Sequence, residues 1–140
     1  MQNGQLSIDL LVTLLLVIII VSGITVIIST YASSAENLII TQQLNYGATN
    51  TASLITTAQT LSDSKFTIQL ELNEINYTDE RKNNKIEYPE VNIIDGNILR
   101  FSKTIKGKTY DANAQFYKTP NTNIKVDLIP DYGILVITNE

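Results

Sequence analysis

Residues 5–30 read QLSIDLLVTLLLVIIIVSGITVIIST, and the fold follows from how this stretch is understood. Its one charged side chain is Asp9, and no other follows until Glu36. About 20 apolar residues at 1.5 Å rise cover the roughly 30 Å hydrocarbon core of a bilayer, so the run is of membrane-crossing length. A secretory signal peptide has basic residues, a shorter apolar region and a small-residue cleavage site. Here no Lys or Arg precedes Lys65, and only the polar residues 1–4 stand before the run. An acid at the edge of hydrocarbon gains from the helix dipole but is costly to desolvate, so Asp9 calls for a partner.

Outward from the run, composition narrows the chemistry. The chain has 140 residues, 10 basic and 14 acidic, and neither Cys nor His. Zinc sites, thiol nucleophiles and histidine-based triads are thereby excluded, as are disulfides. All basic residues lie beyond position 64 without clustering into a patch, and no nucleic-acid partner is expected. Beyond the apolar run there is enough chain for one small domain.

Gly4, Gln5, Ser7 and Asp9, at these spacings on the lip of a membrane-length helix, resemble the class III signal peptide of archaeal type IV pilins. The leader here has no basic residue, and the acid is Asp where Glu is more usual. The resemblance covers about the first thirty residues. It implies a leader at 1–4 that a prepilin peptidase removes between Gly4 and Gln5, with Ser7 and Asp9 serving processing and assembly. It also implies a filament-core helix at 5–30, held in the membrane before assembly. The partners would be the peptidase and other copies of the chain or related pilins, and the filament would stand on the cell surface and serve adhesion. Asp9 lies one turn from Gln5 on the same helical face, placed to meet the terminal amine of a staggered neighbour or to accept a hydrogen bond from a pyroglutamate. The competing reading of Asp9 is a helix cap or first-turn acid at a membrane surface, with Ser7 a second cap.

Within the run, Thr13, Ser22, Gly23 and Thr25 interrupt the Leu, Val and Ile surface. Ser22 and Gly23 are candidates for close helix packing, although such residues are also simply tolerated in membrane helices. From 31 to 62 the helix is expected to continue, with Leu44, Ala48, Ala52, Ile55 and Ala58 on one face. A bend is expected near Gly47, and contact with a β domain along Leu44, Ala48, Ile55 and Leu61.

Residues 63–140 change period. Phe66, Ile68, Leu70 and Leu72 alternate with polar residues as in a half-buried strand. Residues 73–85 are charged and amide-rich and read as a loop. Asp95-Gly96 between two apolar runs is a hairpin signal, Lys106-Gly107 marks a second turn, and 130–133 a third. Strands are expected at 102–105, 109–117, around Ile124, Val126 and Leu128, and at 134–138. The predicted class is α+β: a long N-terminal hydrophobic helix, packed at its C-terminal half against a small antiparallel β domain of six or so strands.

Other candidate sites lie in that domain. Asn76-Tyr77-Thr78 is the one Asn-x-Ser/Thr sequon, and Asn76 a candidate for N-glycosylation in the expected polar loop. Asp79, Glu80, Glu87 and Glu90 are oxygen ligands in type, but they lack calcium-loop spacing and alternate with Arg81, Lys82 and Lys85. No metal, cofactor or catalytic carboxylate pair is expected, and the chain is read as a non-enzyme. The competing reading is an uncleaved single-pass anchor displaying an extracellular β-domain binding module. A carboxylate hydrolase on the same anchor is a third.

Overall fold

The computed structural model describes residues 2–61, 65–79, 81, 83–120 and 122–139, with side chains from position 10 onward. The fold is α+β, and the chain divides into two compact units, Met1–Asn37 and Leu38–Glu140. Among the described residues one helix, α1 (Gln2–Leu61), is followed by eight strands. They are β1 (Thr67–Glu71), β2 (Ile75–Thr78), β3 (Asn84–Glu87), β4 (Glu90–Ile94), β5 (Ile98–Ile105), β6 (Lys108–Gln115), β7 (Ile124–Ile129) and β8 (Ile134–Asn139). All pairings are antiparallel, in sheets ordered β1-β8-β7, β2-β3 and β4-β5-β6.

The alternation of β1 reaches its partner far along the chain. Ile68 and Leu70 stand opposite Ile137 and Leu135 on β8, which on their other side face Val126 and Leu128 on β7. These six side chains form two cross-strand rows on one face. Because β8 is central, Leu135 and Ile137 are fully buried, while their neighbours on the flanking strands are half-buried. Residues 130–133 close β7 onto β8, as their turn chemistry predicts, with Gly133 at φ +60°.

In the β4-β5-β6 sheet, Val91, Phe101 and Ala112 make one inward row and Ile93, Leu99 and Ala114 another. One strand, β5, carries both the hairpin arm after Asp95-Gly96 and the stretch that leads into Lys106-Gly107. Its turns follow local chemistry. Lys106 and Gly107 both take positive φ in a two-residue link, the backbone that matches strand twist. Asp95 and Gly96 are also at positive φ, and three residues rather than two separate paired Ile94 and Ile98.

The stretch read as a loop at 73–85 instead holds β2 and the start of β3. Its inward residues are few: Ile75 is buried and faces Glu87, while Tyr77 faces Lys85. Asp79 organises the link, its Oδ1 accepting the backbone N–H of Arg81 and of Asn83, each at 2.8 Å. The Asn83 amide, ahead of the Arg81 amide, holds that carboxyl below its usual range. Side-chain chemistry of this kind gives the backbone a turn where hydrophobic pattern is weak.

Within the second unit, α1 contributes Ile40, Leu44, Ala48, Ala52 and Ile55 to the core shared with the strands. Each large side chain so buried contributes about 1.5–3 kcal/mol. The helix is continuous through Gly47, and the glycine lies against the Phe101 ring. Leu61, expected on the packed face, is 83% exposed, because that face ends at Gln59. Gln59 Oε1 accepts the Thr119 N–H at 2.9 Å and the Thr119 hydroxyl at 3.1 Å, and Thr56 Oγ1 accepts the Tyr117 N–H at 3.1 Å. The helix thus holds the segment after β6 by its backbone amides.

Candidate functional site

The candidate site is the apolar part of α1. It is long and apolar enough to cross a membrane, and none of that stretch is buried. Every Leu, Val and Ile from Leu10 to Ile28 is more than half exposed. A core helix of a soluble protein would pass the same length test with its side chains covered; this one has them bare. Exposed apolar surface on this scale marks a membrane or protein contact. An anchor and a signal sequence share the place near the N-terminus.

The polar residues within it turn inward on the helix itself. Ser22 Oγ donates to the Ile18 carbonyl at 2.7 Å, Thr25 Oγ1 to Val21 at 2.8 Å, and Ser29 and Thr30 both to Val26 at 2.9 Å. Such back-bonding satisfies hydroxyls that apolar surroundings would otherwise penalise. Gly23 has open space where its side chain would be, and Ser22 is exposed. Gly4, Gln5, Ser7 and Asp9 fall within the span of α1, and their side chains lie outside the described residues.

Compared with known protein families, curated proteins and solved structures, the chain matches none.

Among the described residues no group of three or more His, Cys, Asp or Glu is placed to hold a metal ion. Asp79 closes its turn, Glu90 is exposed at the start of β4, and Glu80 lies outside the described residues. Glu87 has a role that the sequence reading missed. Its Oε2 lies 2.6 Å from Lys103 Nζ, which also donates to the Tyr88 carbonyl at 3.2 Å. Lys103 sits on the inward face of β5 between Phe101 and Ile105 and is only 17% exposed at its side chain. Its hydrogen bond, more than its charge, holds the Glu87 carboxyl below the usual range, and Tyr77 adds a second. Partial burial, then Glu87 itself, pushes the Tyr77 hydroxyl up. The signal was a lysine at an inward position of a clean alternation, which demands a partner.

Asn76 is exposed on β2 rather than in a loop. It borders a concavity of about 410 Å³ with Glu71, Leu72, Asn73, Glu74 and Tyr88. The Tyr88 ring fills the space where a side chain on Gly133 would stand, and its hydroxyl lies 3.4 Å from Glu74 Oε1.

Proposed function

We propose that this chain is a type IV pilin-like structural subunit of an archaeal surface filament. A prepilin peptidase cuts between Gly4 and Gln5, the apolar helix waits in the membrane, and assembly with copies of itself or related pilins moves it into a filament core. The observation that carries this reading is the contrast within one chain: bare apolar side chains from Leu10 to Ile28, beside a second unit with its own buried core. Leaving lipid is unfavourable for such a helix unless its surface is reburied, and contact with identical neighbours returns about 0.8 kcal/mol per buried methylene. Hydroxyls already bonded to their own helix suit either setting. Asp9 and the new amine of Gln5 pair between staggered subunits, and Ser7 supports the same junction. Ser22 and Gly23 let neighbouring helices approach closely. The protein works by assembly and adhesion, without catalysis or cofactor.

The second reading, an uncleaved anchor displaying a binding module, is favoured by the same exposed helix and needs no processing. The two part at the N-terminus and in the fractions. A chain beginning at Gln5 in sheared surface material supports the filament, and a chain keeping residues 1–4 in the membrane alone supports the anchor. Substituting Gly4 and Asp9 separately tests processing and assembly in turn.

A further inference from the structure

Strand alternation turns Asn76 and Thr78 to one face of the β2-β3 hairpin and Ile75 and Tyr77 to the other. On the outer face Asn76 stands directly opposite Ile86, an apolar side chain that is 57% exposed. Opposed residues have Cβ atoms about 4.5–5.5 Å apart and diagonal ones about 7–8 Å, which brings Ile86 and then Tyr88 within reach of a group attached at Asn76. The Tyr88 ring lies against Gly133, and Tyr88 borders the same concavity as Asn76, Asn73 and Glu74. A pyranose offers an apolar C–H face and a rim of hydroxyls. This surface offers Ile86 and Tyr88 to the first, and the Asn73 amide and Glu74 carboxylate to the second.

We propose that Asn76 carries an N-linked glycan whose first sugar is seated on Ile86 and the Tyr88 ring, with its hydroxyls answered by Asn73 and Glu74. The attachment joins Asn76 Nδ2 to C1 of the sugar as the C1–O bond to a lipid-linked phosphate donor breaks. Nδ2 gives up one proton, and the phosphate leaves with the bonding electron pair. The inference rests on the proposed function only in requiring that the β domain be exported, which the filament and the anchor share. The glycan covers the exposed Ile86 on the outer face of the hairpin.

The test begins with peptide masses from the full chain purified from its native membranes. A saccharide on Asn76, lost in Asn76→Gln, is expected; an unmodified Asn76 in the native protein overturns the proposal. The N-terminal peptide of the same digest reports Gln5 independently, so this inference and the filament account fail separately. Seating is then read by deuterium exchange over residues 84–88 of the full chain in detergent. Exchange is expected to be several-fold slower with the glycan than in Asn76→Gln, and that difference to disappear in glycosylated Tyr88→Ala and Ile86→Ser. Ile86 is exposed, so Ile86→Ser keeps the fold even where Tyr88→Ala does not. A protection that survives Ile86→Ser overturns the seating.

Discussion

Gly47 of α1 lies against the ring of Phe101 on β5: a Cβ at position 47 would stand 3.0 Å from Phe101 Cε1 and 3.2 Å from Cδ1. Phe101 is fully buried and cannot swing aside. Alanine favours a helix over glycine by about 1 kcal/mol, and overpacking a tight core costs about 1–3 kcal/mol. Gly47→Ala is therefore expected to destabilise the domain by about 1 kcal/mol net, as a fall in its urea midpoint. In a Phe101→Leu background the same change should become neutral or stabilising, and a double-mutant cycle measures the coupling.

Gly133→Ala should be worse. The residue is at φ +60°, which disfavours any Cβ, and the space is occupied by the Tyr88 ring. Strain and displacement of the ring together should cost more than about 2 kcal/mol, enough to lower yield of folded protein. Gly107→Ala meets open space at a similar φ and should cost less, about 1 kcal/mol. Thermal unfolding of the two variants side by side separates ring contact from backbone strain.

The pair of Glu87 and Lys103 makes stability depend on acid. The folded Glu87 carboxyl is held below its ordinary value of 4.5, so its contribution is fully present above that pH and is lost as pH falls through the lowered value. Glu87→Gln should remove that part of the acid sensitivity. Because the Glu87 side chain is 39% exposed, the loss at neutral pH should be only about 1 kcal/mol. Unfolding midpoints at pH 7 and pH 3.5 for both proteins decide this: an equal drop on acidification in each contradicts it.

Gln59→Ala should release residues 116–119 from the helix. Two hydrogen bonds to Gln59 Oε1 are lost, leaving the Thr119 N–H without its acceptor, at a cost of about 1–2 kcal/mol. Faster amide exchange is expected at Tyr117 and Thr119, with the β1-β8-β7 sheet unchanged. Exchange that rises everywhere would mean general unfolding instead.

What was legible in the sequence was what neighbours in the chain decide. The alternation of Ile68 and Leu70, the turn residues Asp95-Gly96 and Lys106-Gly107, and the uninterrupted run after Asp9 each act within a few positions. The rest depends on partners far away. That Ile68 meets Ile137 follows from no local pattern. The β2-β3 hairpin was hidden because only Ile75 is buried on it, amid Asn, Lys and Glu. The contact of Gly47 with Phe101 and the pairing of Lys103 with Glu87 were hidden because each partner is on another element. At the candidate site the apolar surface was visible at once. The hydroxyl back-bonds of Ser22 and Thr25 needed coordinates.

The most direct test of the filament account is the intact mass and N-terminal peptide of the native protein, taken from membranes and from sheared surface material. The account expects a mature chain beginning at Gln5, or at pyroglutamate in its place, in the sheared fraction. A chain that still carries residues 1–4 and stays with the membrane would contradict it.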